Sequence, residues 1–138
     1  MALPPVKYPA VFVTGVLIFL LGGLWYSPVV FARRWMTLMA RSEEELKAGA
    51  GSMPVNFTLA FLCGLLIAWV MAIILGYVGS PSAATGAIVG SLCWLGFAAS
   101  TSYATAVFSN TPKELWLINS GYNLVCFIIA GVILSVWR

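Results

Sequence analysis

The chain has 138 residues, 62% of them hydrophobic and 8% charged, whereas about a quarter of an ordinary soluble domain is charged. Seven Lys/Arg and four acidic residues cannot build the polar shell that a water-soluble domain of this length needs, so lipid must cover most of the surface. The small formal charge of +3 and the lack of any His, Asp or Gln leave little for nucleic-acid binding, metal ligation or acid–base chemistry.

The first apolar run, residues 8–26, opens on Pro9, which suits a first helical turn because its missing N–H would have been unpaired there. Trp25-Tyr26-Ser27-Pro28 after it does not resemble a small-residue cleavage site, so the run reads as an uncleaved spanning helix. Residues 29–48 read as an interfacial segment. Phe31, Trp35, Leu38 and Met39 fall at i, i+4, i+7 and i+8, with Arg34, Thr37 and Arg41 on another face. That pattern fits an amphipathic helix in the headgroup layer, contacting anionic lipid through Arg33, Arg34, Trp35 and Arg41; the alternative is a solvated linker. Ser42 with Glu45 spells a capping box for a second short helix that Gly49 would end.

Three further runs, residues 54–78, 83–108 and 115–137, are each long enough to cross with some tilt. Polar turns at 79–82 and 109–112 make spans two to four consecutive antiparallel neighbours. The expected architecture is a single all-α domain over residues 1–138, a bundle of four transmembrane helices with a short interfacial helix between spans one and two. Arg33, Arg34, Arg41, Lys47 and Lys113 lie on one side of the membrane, and Lys7 and Arg138 on the other. Such an imbalance puts both termini outside the cytoplasm. Tyr8, Tyr77 and Trp137 fit one aromatic belt, and Trp25, Tyr26, Trp35 and Trp116 the other. Trp69 and Trp94, nearer the middle, read as packing residues, as do Cys63, Cys93 and Cys126 inside apolar runs.

Two constellations are candidates for function. Ala60, Gly64, Ala68, Ala72 and Gly76 recur every four residues in span two. This smooth strip lets another backbone approach closely, either in an oligomer or inside the bundle, with Gly86 and Gly90 of span three as facing residues. The second constellation is polar: Thr101, Ser102 and Thr105 late in span three, and Asn119, Ser120, Tyr122 and Asn123 early in span four. The turn near Asn110 brings them to similar depth, as an interhelical hydrogen-bond layer or as the lining of a cavity or pore. No membrane-embedded position carries an ionisable carboxylate, amine, guanidinium or imidazole, so proton relay and acid–base catalysis have no candidates there. Glu43, Glu44, Glu45 and Glu114 read as helix N-terminal charges, and Asn56-Phe57-Thr58 matches a glycosylation acceptor by spelling only.

Gly22-Gly23-Leu24-Trp25-Tyr26-Ser27-Pro28 with Phe31 and Trp35, then Trp94-Leu95-Gly96-Phe97, then the run from Leu117 through Asn119-Ser120-Gly121-Tyr122-Asn123 to Val125 together resemble the mostly bacterial membrane family called domain of unknown function 1761. The resemblance covers nearly the whole chain. It implies a four-span protein of a bacterial inner membrane and brings no established activity or ligand. Members of the family often carry His where this chain has Asn123, so the resemblance lends no titrating or metal-binding role to that position.

These features point first to a non-enzymatic assembly protein, either a homo-oligomer or an accessory subunit of a larger membrane complex. A passive channel or facilitator for a small neutral solute comes second, and a membrane enzyme third. No cofactor is expected; the expected partners are the bilayer, anionic headgroups and other membrane chains, and no nucleic acid.

Overall fold

The protein is described by a computed structural model covering residues 1–39, 44–45, 51–79 and 82–137. The expected headgroup contact at Arg41 and the capping of a second short helix by Ser42, with its end at Gly49, lie outside the described residues. The elements are α1 (Tyr8–Trp25), α2 (Ala32–Met39), α3 (Met53–Val78), α4 (Ala83–Cys93), a π-helical turn (Trp94–Ala99), α5 (Ser100–Phe108) and α6 (Lys113–Val136). With the π turn, α4 and α5 form one continuous third span. Four helices, Tyr8–Trp25, Met53–Val78, Ala83–Phe108 and Lys113–Val136, are long and apolar enough to cross a membrane. Each satisfies its backbone internally, as lipid requires, and the first two are apolar around nearly their whole circumference.

Local chemistry sets the ends. Proline occupies the first turns of α1 and α3. The Ser82 hydroxyl accepts the Thr85 N–H at 3.2 Å at the start of α4. Gly79, at φ 107°, turns the chain after α3 where a side chain would be strained. After α1 the chain reverses tightly: the Phe31 N–H reaches back to the Trp25 carbonyl at 3.1 Å, and the Ser27 hydroxyl donates to the Leu24 carbonyl at 2.6 Å. The Leu24 and Trp25 carbonyls at the end of α1 are thereby paired and α2 is laid across the bundle end.

Packing centres on α6, which lies against α1, α3 and, most extensively, α4, while α1 pairs with α3. Helices α3 and α4 touch only marginally. This corrects the expectation that spans two and three pack as neighbours: α6 takes the place between them. Its Ala130 and Leu134 join Ala68, Met71 and Leu75 of α3, Ala10 and Val11 of α1, and Cys93 in one buried core. Gly86 and Gly90 do not face the span-two strip either. A Cβ at Gly86 would fall on the Gly131 carbonyl of α6, and one at Gly90 on the Phe127 carbonyl. The glycines are what allow α4 and α6 to cross backbone to backbone.

The strip itself is divided among several neighbours. A Cβ at Gly64 would meet Ile18 of α1 at 3.2 Å. Ala68 is fully buried, and Ala72 packs against the core. Gly76 lies under Pro4 of the N-terminal segment, which the Tyr77 hydroxyl also holds by donating to the Ala2 carbonyl at 3.1 Å. Ala60 is exposed. Leu20, Leu62, Leu66, Phe97 and Leu117 point outward, as side chains facing lipid should.

Candidate functional site

The three sequence motifs meet where α1 ends and α6 begins. The Trp25 indole N–H donates to the Ile118 carbonyl, the Tyr122 hydroxyl to the Ile18 carbonyl and the Trp94 indole N–H to the Ser120 carbonyl, each at 2.9 Å. The Tyr26 hydroxyl donates to Asn119 Oδ1 at 2.7 Å. The rings of Trp25 and Phe31 lie 5.0 Å apart, those of Tyr26 and Tyr122 5.7 Å, and those of Tyr26 and Trp35 6.0 Å. Two motif glycines make this possible. A Cβ at Gly22 would come to 2.9 Å from the Tyr122 hydroxyl, and one at Gly121 to 3.3 Å from the Trp25 ring.

Outside this cluster α2 is tied down by charge. Arg34 makes a bidentate pair with Glu114, Nε to Oε1 at 2.5 Å and Nη2 to Oε2. Hydrogen bonding to this carboxylate, with its negative charge, raises the Arg34 guanidinium above its ordinary pKa. Both side chains are half-exposed, so the pair positions α2 more than it stabilises the fold. Trp35 is turned onto Tyr26. Arg33 is exposed and forms no ion pair among the described residues.

On its other side α6 borders a cleft of about 400 Å³. Thr101, Ser102 and Thr105 line it from α5, Trp116, Asn119, Ser120 and Asn123 from α6, and Thr111 lies at its turn end. The structure thus brings six of the seven residues of the expected polar constellation together and turns Tyr122 away, against α1. The π turn shapes the cleft. The buried stripe Gly86, Gly90, Cys93 resumes at Ala99 and Ala106, while Phe97, where regular α periodicity would continue it, is 71% exposed. The wider turn re-aims the last two turns of the span.

Most polar groups here are partly engaged. The Thr101 hydroxyl donates to the Phe97 carbonyl, Thr105 to the Thr101 carbonyl at 3.1 Å, and Ser102 to the Ala99 carbonyl at 3.2 Å. Ser102 Oγ also accepts the Trp116 indole N–H at 3.0 Å. Of the groups left over, two lie deepest. The Ser120 hydroxyl is buried, with the residue 3% exposed, and has no partner among the described residues. Asn123 makes no side-chain hydrogen bond in the same set. It lies nine residues into the span from Glu114, about 13 Å along a helix, where hydrocarbon offers an amide nothing.

A second cleft, of about 320 Å³, opens at the opposite end beside Pro5, Lys7, Ala72, Leu134 and Trp137. Between the two stands the packed core, in which Ala68 and Ala130 are 0% and Met71 and Cys126 1% exposed. Among the described residues no three His, Cys, Asp or Glu side chains gather as a metal site would need.

Sequence reading missed the roles of Trp25, Tyr26 and Gly131. The first two stand out in the sequence as belt aromatics and as part of the motif that carries the family resemblance, and neither feature gives their partners. Gly131 shares its run with Gly121 but has no glycine four residues away to mark a strip.

No curated protein and no solved structure matches the chain. The family model described as Protein of unknown function (DUF1761) matches residues 9–135, which takes in all three motifs that converge at the end of α1 and α6. The chain belongs to that family.

Proposed function

We propose that the protein is a non-enzymatic membrane protein that binds a small neutral solute in the cleft between α5 and α6. The observation that carries this reading is the pair of unpartnered polar groups at hydrocarbon depth, the Ser120 hydroxyl and the Asn123 amide. An unsatisfied polar group costs several kcal/mol in lipid, so the cleft holds polar matter that enters from the Thr111 end. The packed core beyond Cys126 supports a site with one mouth rather than a passage. With five basic residues against two, that mouth faces the cytoplasm and both termini lie outside it.

The test is aqueous access. In a background lacking Cys63, Cys93 and Cys126, a charged, membrane-impermeant thiol reagent should label Asn123→Cys from the cytoplasmic side and leave the lipid-facing Phe97→Cys unlabelled. Protection of position 123 from both sides would sink the reading, and labelling from the outside would reverse the topology.

Assembly, as a homo-oligomer or an accessory subunit, is the second reading. It is favoured by Thr101 and Thr105, which are exposed on the flank of α5 where a neighbouring helix would shield them. A native mass above the 14.8 kDa of one chain would support it. The span-two strip no longer argues for assembly, because Gly64, Ala68 and Gly76 already have neighbours within the chain.

The anionic-headgroup contact divides between two arginines. Arg34 is neutralised by Glu114, so Arg33→Gln should lower the anionic lipid that co-purifies, whereas Arg34→Gln should change it less; phosphorus analysis of the extracted lipid reads the difference. Equal losses would mean that Glu114 does not hold Arg34 in the membrane.

A further inference from the structure

We propose that the cleft selects neutral ligands carrying a hydrogen-bond donor and an acceptor on two atoms that flank one carbon, the arrangement of a primary carboxamide. This rests on the binding reading above and goes further by assigning a chemical class to the occupant. The absence of charge comes first. No side chain lining the cleft itself is ionised, and Arg34 and Glu114 neutralise each other; Lys113 lines only the adjoining space beyond Thr111 and Trp116, at the mouth. A charged ligand would bring an uncompensated charge to hydrocarbon depth.

The internal hydrogen bonds then decide what each wall has left to offer. On the α5 wall the hydroxyl protons of Thr101 and Thr105 are committed to carbonyls of their own helix, so only oxygen lone pairs remain, and this wall accepts. On the α6 wall the Asn119 oxygen is taken by the Tyr26 hydroxyl, so its NH₂ group is what remains, and this part of the wall donates. Asn123, deeper on the same helix, adds a whole amide, and the buried Ser120 hydroxyl supplies one more unpartnered group. A ligand that fits directs its N–H toward the threonines and its carbonyl oxygen toward Asn119. A primary carboxamide presents donor and acceptor on two atoms of one plane, matching two walls of opposite character. A tertiary amide lacks the donor, and an alcohol places both functions on one atom.

The experiment follows the indole N–H of Trp116, which is held by Ser102 on the cleft wall, by ¹⁵N NMR of the full chain in lipid nanodiscs. Benzamide is the probe, because its ring shifts nearby resonances; N,N-dimethylbenzamide and benzyl alcohol are the comparators. Benzamide should shift the Trp116 signal saturably, with each comparator weaker by about tenfold, the ratio that one lost hydrogen bond gives. In the near-isosteric double variant Thr101→Val/Thr105→Val the advantage over the dimethyl compound should vanish. Asn123→Leu, on the opposite wall, should weaken benzamide without touching the α5 acceptors. Equal affinity for benzamide and its dimethyl derivative, or an alcohol that binds as well, would overturn the assignment while saturation still upheld a binding cleft. No saturable shift with any probe also overturns it. In that case labelling of Asn123→Cys tells whether the cleft reading survives, since a site that is wet but indifferent to carboxamides would still label.

Discussion

Gly131→Ala should lower the stability of the bundle by about 2–3 kcal/mol, at the upper end of what an overpacked contact costs. The added methyl would fall on the Gly86 carbonyl, and a backbone carbonyl cannot swing aside as the tip of a side chain can. α4 and α6 must separate, and the neighbouring contact of Gly90 with the Phe127 carbonyl opens with them. No hydrophobic effect draws helices together in lipid, and dispersion falls steeply with a gap of even half an ångström. Gly86→Ala should cost about as much, and the two together less than their sum, since either change already separates the helices. Gly23→Ala and Gly96→Ala are the controls, because a Cβ at either position meets nothing within 4 Å. Unfolding in mixed micelles, followed by helical circular dichroism, reads all five. If Gly131→Ala matched the controls, the α4–α6 crossing would be wrong.

Trp25→Ala should come close to this, with a loss of about 2–4 kcal/mol, below the full cost of truncating a buried aromatic because Trp25 is partly exposed. The indole fills the space above Gly121, packs against Phe31 and donates to the Ile118 carbonyl. Removing it should also free the reversal at 26–31 that positions α2, so amide exchange across 27–39 should quicken while α3 and α4 keep their protection. Trp25→Phe, which keeps a ring but loses the N–H, should fall between. Tyr122→Phe should cost under about 1 kcal/mol, because the Ile18 carbonyl that it releases lies inside α1 and has a backbone partner there. Exchange that rose uniformly along the chain would show that Trp25 stabilises the whole bundle rather than the docking of α2.

The four spans were legible in the residues alone, because spanning is a property of one segment at a time. Twenty or so apolar residues bounded by Pro9, Pro54, Gly79 or the polar turn after Phe108 leave lipid as the only suitable solvent and helix as the only backbone that satisfies itself there. The sequence also placed Thr101, Ser102, Thr105, Asn119 and Asn123 at one depth, since the short turn at 109–112 ties the two helices together. Tertiary structure alone decided which faces meet. Leu62 and Leu66, exposed to lipid, are as apolar as buried Met71 and Leu75, so hydrophobic periodicity, which marks the inner face of a soluble helix, is silent here. Gly86 could therefore be matched to the strip on span two when its partner is Gly131, a contact set by backbone approach and invisible in either segment. The π turn at 94–99 likewise shifts the buried stripe to Ala99 and exposes Phe97, a change of register that extrapolation at 3.6 residues per turn cannot anticipate. Tyr122, on the same helix as Asn119 and Asn123, turns to α1 because Gly22 leaves room for its ring. Space of that kind exists only once two helices have been brought together.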